Sequence, residues 1–289
     1  MNPHVAWRMD VARQAAACQA GSAHVAAVAA AGSVGAGIAD RFSDLELDVY
    51  WHRPPSDEER LAPVRALGGE LTALWDYDED DEEWSEDYRV GELDVTVSNF
   101  VTGSIGRFLD DVILQASTEP VRHMRLAALQ RSCPLIGAEL MSAWRARADT
   151  FPDGLVSALV ARALGPEVLR GWAAREAFVS RGDDLALGDL MSRTGHAVLA
   201  TALALNRVYL PHQQLKWQRD LIAGLRIVPE RFADRLASLS AGKPDEAIRT
   251  AEALLFEVTD LAETHSSADL SDFREGLSER RRPVDPPDC

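Results

Sequence analysis

Apolar positions at Val5, Met9, Ala12 and Ala16 recur three to four residues apart, the spacing of one helical face, and predict a first helix over residues 5–20. Gly21 and Ser22 end it. Residues 24–31 read as a strand of small residues that runs into a turn at Gly32 and Ser33, after which residues 34–40 can start a short helix. The β-branched and aromatic run at 45–51, closed by Pro54 and Pro55, predicts a strand. Residues 56–67 predict a helix, because Ser56 can cap the free amides and Asp57, Glu58 and Glu59 complement the dipole of the first turn. Short strands are expected at 71–75 and 88–90. Over 91–100, Leu93, Val95 and Val97 alternate with Glu92, Asp94 and Thr96, which is the period of a half-buried strand.

From residue 105 the period changes to that of helices. Segments 107–117, 121–131, 135–148, 154–164, 166–180, 184–208, 215–224, 229–240 and 243–265 all carry it, with Gly and Pro between them. The pattern therefore predicts an α+β protein: a small mixed-sheet domain over 1–103, an all-helical domain over 104–278, and a disordered tail at 279–289 with an arginine triplet and three prolines.

Composition narrows the class. The 289 residues are 46% hydrophobic and 26% charged, as in a globular protein with a full core. No apolar run is strong enough to span a bilayer, and Arg8, Asp10 and Arg13 interrupt the apolar pattern that a leader would need, so a cytoplasmic protein with no membrane partner is expected. Cys18, Cys133 and Cys289 fit neither a disulfide framework nor a zinc motif and read as free thiols. The formal charge of −16 disfavours extended contact with nucleic acid and suits a neutral or cationic small molecule or a basic protein. Part of that charge is local, since residues 76–87 hold nine carboxylates and no base and read as a solvated loop.

The chemistry concentrates on the strand at 45–51. Residues two apart on a strand point the same way, so Asp44 and Glu46 project together while Leu45 and Leu47 pack behind them. Two carboxylates side by side repel unless a cation lies between them, which points to a divalent-metal site for phosphoryl or nucleotidyl transfer. Asp48 shares their parity and reads as flanking the site. A third carboxylate could come from the strand at 91–100, where Asp94 is the candidate and Glu92 lies on the same face.

The Gly32-Ser33 turn, about ten intervening residues and then Asp44-Leu45-Glu46-Leu47 resemble the signature of the polymerase-β-type nucleotidyltransferases. A small catalytic domain followed by a helical one is similar to the arrangement in the antibiotic nucleotidyltransferases. Residues 204–209 with Lys216 and Trp217 resemble a branch of that superfamily known as a domain of unknown function. The resemblance implies that Asp44, Glu46 and Asp94 hold Mg²⁺, and that Asp94 can take the acceptor's proton. It also implies that Gly32, Ser33 and Ser43 meet the triphosphate of an NTP co-substrate, with Lys216 able to neutralise a β- or γ-phosphate. The second acid is Glu where the superfamily more often has Asp.

On this reading the protein transfers a nucleoside monophosphate from NTP to a hydroxyl of a small-molecule acceptor, antibiotic-like or natural-product-like, and releases pyrophosphate. Nucleotidylation of a protein or tRNA, and a catalytically inactive nucleotide-binding module, are the alternatives. Nothing in the sequence selects the nucleotide or the oligomeric state. Arg175, Glu176, Arg181, Asp183, Asn206, Arg207 and Tyr209 are further polar candidates in the helical part, each also readable as an ordinary helix face. His196 and His212 have no ligand-spaced partner, and Trp144, Trp172 and Trp217 read as core.

Overall fold

In the computed structural model, which describes residues 2–284, Pro3–Gln19 forms the first helix, α1. Pro3 sits where a missing N–H costs nothing, and the Asn2 side chain accepts from the amide of His4. The chain then runs through β1 (Val25–Ala30), the single helical turn α2 (Gly32–Gly35), β2 (Leu45–Trp51), α3 (Asp57–Arg60) and α4 (Ala62–Ala66). Ser56 and Glu59 close a capping box at α3, as the Ser-x-x-Glu spacing requires. Three strands follow, β3 (Glu70–Asp78), β4 (Glu83–Val90) and β5 (Leu93–Val101), then α5 (Thr102–Ile113), α6 (Pro120–Arg131), β6 (Cys133–Ile136) and α7 (Ala138–Ala148).

The six strands form one mixed sheet in the order β3-β4-β5-β2-β1-β6, in which β2 and β5 are parallel and the other neighbours antiparallel. One sheet face carries Leu45, Leu47, Val49, Val95 and Val97 and packs on Val5, Met9, Ala12 and Ala16 of α1, the apolar face read from the sequence. The architecture is α+β, as expected.

Several elements differ from the sequence expectation. The first compact unit comprises the chain up to Gln115 and again Glu119–Thr150, rather than ending near 103. The reason is β6, which returns to pair with β1 and brings α5–α7 with it. Residues 135 and 136 were expected to open the helix over 135–148, with 133 and 134 between helices. They form a four-residue edge strand instead, and Gly137, at φ +70°, turns the chain into α7 where a Cβ would stand 2.2 Å from the Ala26 carbonyl.

The acidic segment 76–87 is not a solvated loop. It runs from the end of β3 through the hairpin tip into β4, with only residues 79–82 in the turn. Glu86 lies in the core at 1% exposure, where Arg60 Nε donates to it at 2.8 Å and Asn99 Nδ2 donates to both carboxylate oxygens at 3.1 and 2.9 Å. Trp51 Nε1 in turn donates to Asn99 Oδ1. Burial pushes the Glu86 carboxyl up to about 7, against the pull of Asn99 and Arg60.

The second compact unit takes residues 116–118 and the chain from Phe151 onward. It holds α8 (Asp153–Ala163), 3-10 turns at Pro166–Leu169 and Trp172–Ala174, α9 (Arg175–Arg181), α10 (Asp184–Leu205), α11 (Gln218–Ala223), α12 (Phe232–Ala241), α13 (Pro244–His265) and α14 (Ser271–Leu277). The two 22-residue helices α10 and α13 pack together, and α8 and α12 lie against α10. Residues 166–180 were read as one helix; Gly171, at φ +80°, interrupts it. The short helix α14 was not anticipated.

The start of the expected tail is ordered. Arg175 Nη1 donates to the Glu279 carbonyl, Arg281 N–H donates to the Ala173 carbonyl, and Arg280 pairs with Glu252. Residues 285–289 of that tail lie outside the described residues. Among the described residues, no helix is long and apolar enough to cross a membrane.

Candidate functional site

The expected turn and acidic strand meet at one end of the sheet. β1 and β2 run antiparallel with Ala30 opposite Leu47, and the Ala31 N–H donates to the Glu46 carbonyl at 2.9 Å. That bond seats the start of α2 against the start of β2. Gly32 has φ +53°, and a Cβ placed on it would lie 2.5 Å from Glu46 Cδ and 2.6 Å from each carboxylate oxygen. The Glu46 carboxylate therefore rests against bare backbone in a space that only glycine leaves open. Ser33 follows, half-buried. Asp44 and Glu46 are exposed, whereas Leu45 and Leu47 are buried behind them, so the parity read from the sequence holds here.

β5 lies beside β2 with Leu45 opposite Val95, Glu46 opposite Thr96 and Asp48 opposite Ser98. Asp44 and Asp94 are thus the residues immediately before a paired level, on neighbouring strands. Asp94 is exposed, and Arg89 Nε donates to its Oδ1 at 2.9 Å. Glu92 precedes β5 in the turn after β4. Among the described residues, no group of three or more His, Cys, Asp or Glu side chains is placed to hold a metal ion. The structure therefore brings Gly32 and Glu46 together, places Asp44 immediately before the strand that carries Glu46, and places Asp94 one strand away, engaged by Arg89.

Ser43 is turned to another task. Its hydroxyl donates to Asp40 Oδ1 and accepts from the Asp40 N–H, and its carbonyl accepts from Arg8 Nε at 2.9 Å and Nη2 at 2.5 Å. This closes the loop that delivers the chain into β2. The Phe42 amide, with help from Ser43, holds the Asp40 carboxyl below its ordinary range. Arg8, nearly fully buried in α1, braces that loop without facing solvent.

Next along the same face lies a polar cluster that sequence reasoning assigned only as flanking. Asp48 is buried, and Tyr50 Oη donates to its Oδ2 at 3.2 Å. Burial pushes its carboxyl up, opposed by the charge of Arg125. Arg125 Nη2 donates to Glu83 at 2.6 Å, and its guanidinium lies over the Phe100 ring with 4.5 Å to the centroid. Burial, with Asp48 adding to it, raises the Glu83 carboxyl to about 7 while Arg125 pulls it down. Parity gave Asp48 the correct face. Its partners were hidden because Glu83 stood in a segment read as solvated and Arg125 on a helix of low amphipathic contrast.

Lys216 is an exposed residue of the second unit, between α10 and α11. Its neighbours among the candidates are structural. Asn206 Oδ1 accepts from the Arg226 and Ile227 amides, while its Nδ2 donates to the carbonyls of Ala202 and Ile227. Arg207 pairs with Asp153 at 2.5 Å and Tyr209 is buried against Phe151, with ring centroids 4.8 Å apart. Arg175 is fully buried, stacked 4.4 Å from the Trp172 centroid, rather than on a solvated face. Trp144 is also core, while Trp217 is 36% exposed.

Neither a family model nor a curated protein matches the sequence. Among solved structures the chain is similar to a nucleotidyltransferase-like protein from Exiguobacterium sibiricum 255-15, at 14% identity over 88% of this chain and 74% of that chain, with a TM-score of 0.38. That likeness is too distant to carry an activity or a substrate to this chain.

Proposed function

We propose that the exposed end of β2 and β5 is a nucleotidyl-transfer site. The observation that carries this reading is the seating of the Glu46 carboxylate against Gly32, with Asp44 two residues back, immediately before the same strand. Such an arrangement sets bare backbone amides for a polyphosphate beside two oxygen ligands for a hard cation. The donor chemistry fits Mg²⁺, which takes one or two carboxylates and shares the rest of its shell with water and phosphate. Asp44 and Glu46 would hold it, and a cation there would offset the charge of the phosphates as they react.

Asp94 fits the role of proton acceptor. Its exposed pair with Arg89 is of a kind that contributes at most about 1 kcal/mol, so a substrate can take the carboxylate from it at little cost. In the reaction, the acceptor hydroxyl oxygen forms a bond to the α-phosphorus and its proton passes to Asp94. The bond between the α-phosphorus and the bridging oxygen breaks, and pyrophosphate leaves with the electron pair. The Gly32-Ser33 turn would orient the triphosphate, whereas Ser43 shapes the approach to β2 and is not assigned to phosphate. The net charge of −16 favours a cationic or neutral small-molecule acceptor over nucleic acid.

The experiment is incubation with each of the four α-³²P-labelled NTPs, Mg²⁺ and a panel of aminoglycoside-like hydroxylated amines, with a cell lysate as a parallel acceptor. Label on a small molecule with stoichiometric pyrophosphate supports the reading. Label confined to macromolecules moves the acceptor to protein or tRNA. No label and no pyrophosphate from any NTP removes the activity.

A further inference from the structure

The second unit contains a cavity of about 440 Å³ between α10, α12, the start of α13 and the segment around Gln214–Gln218. Its floor is apolar and buried: Leu187, Met191 and Leu199 from α10, Leu236 and Leu239 from α12. Its rim is polar and exposed, with Asp184, Ser192, His196, Gln218 and Ser240. The shape follows from two glycines on α10. At Gly195 a Cβ would meet the methyls of Leu236 and Leu239 at 3.6 and 3.7 Å, so α10 and α12 pack closely there. At Gly188, two turns earlier, nothing comes within 4 Å, and the space opens.

Volume and lining match a small-molecule pocket: roughly 300–1,000 Å³, mostly apolar, with a few polar groups that fix orientation. The chemistry of the rim selects the ligand. His196 Nδ1 lies 2.8 Å from the Ser192 carbonyl, which can only accept, so Nδ1 carries a proton and the ring is held at the rim by that bond. Asp184 adds an anionic acceptor, and among the described residues no Lys or Arg lines the cavity. Acceptors and negative charge above an apolar floor suit a hydrophobic body bearing an amine.

We infer that this cavity is a binding site for a small amphipathic amine, its ring or alkyl part on the leucine floor and its ammonium toward Asp184. The site lies wholly within the helical unit and does not depend on the proposed transfer activity.

The test is direct binding of phenethylamine, tryptamine and a longer arylalkylamine to the full chain, by calorimetry and thermal shift. Indole-3-acetate serves as the anionic control and indole as the neutral one. Gly188→Trp fills the opening, and Gly188→Leu does so with a smaller side chain should the first variant lose its fold. Saturable amine binding is expected. Filling the opening should weaken it by about tenfold or more. Asp184→Asn should weaken the amines by roughly fivefold, the reach of a solvent-exposed ion pair, and leave indole unchanged. The inference is overturned if no amine binds saturably, if the filled variants bind as wild type does, or if indole-3-acetate binds as tightly as tryptamine.

Discussion

The carboxylate of Glu46 lies where a Cβ on residue 32 would stand, 2.5–2.6 Å from that position. Gly32 and Glu46 are therefore one unit, joined also through the Ala31–Glu46 backbone bond. A Gly32→Ala change both forces an L-residue to φ +53° and displaces the carboxylate. The conformational part costs about 1–2 kcal/mol. Thermal unfolding of Gly32→Ala, Glu46→Ala and the double variant should show the double less destabilised than the sum of the singles, because truncating Glu46 relieves the clash. Strict additivity would show that the two positions do not compete for the same space.

Arg60 and Glu86 are both 1% exposed, and Glu86 is also held by Asn99. Removing one partner leaves a desolvated charge. Arg60→Met should destabilise the fold by about 3–5 kcal/mol in urea titrations at pH 8. The loss should shrink at pH 5, where Glu86 can take a proton and become neutral.

Glu83 and Glu86 have an ordinary carboxyl value of 4.5, and burial raises both to about 7. A raised folded-state value means that the folded protein binds the proton more tightly than the unfolded chain. Their contribution to stability is therefore complete below about pH 4.5 and is lost as the pH rises to about 7. Urea midpoints measured at pH 5 and pH 8 should fall less for Glu83→Gln than for wild type. An equal or larger fall in the variant would contradict the assignment.

Asn206 ties the end of α10 to residues 226 and 227 through both ends of its amide. Asn206→Ala strands the Arg226 and Ile227 amides and should cost about 1–3 kcal/mol. Far-ultraviolet melting of the variant checks this. Unchanged stability would reopen Asn206 as a residue kept for binding.

Alternation and turn chemistry made the sheet centre readable. Leu45–Trp51 matched its predicted range residue for residue, and Leu93, Val95 and Val97 faced inward as their period required. The Gly32 turn was equally readable, because glycine before a short turn and an acid-leucine alternation after it are local signals. What failed depended on tertiary partners. Nine carboxylates over residues 76–87 gave no sign that Glu86 would meet Arg60 from a helix 26 residues earlier. Cys133–Ile136 is too short a strand to show a period, and only pairing with β1 defines it. Ser43 stood at a position suited to phosphate, yet Asp40, three residues away, claims its hydroxyl. Arg175, at the head of α9, gave no hint of burial, because its burial comes from Trp172 and the returning residue 279.

The proposed site requires Asp44 and Glu46 together to hold the cation of a bound nucleoside triphosphate beside Gly32. Mn²⁺ can replace Mg²⁺ and be followed by electron paramagnetic resonance as protein is titrated with each NTP, without requiring turnover. The expected result is a protein-bound Mn²⁺ signal that needs both nucleotide and protein and is lost in Asp44→Asn and Glu46→Gln while both variants keep the wild-type melting temperature. Mn²⁺ and nucleotide binding that is absent in the wild type, or unchanged in both variants, would contradict it.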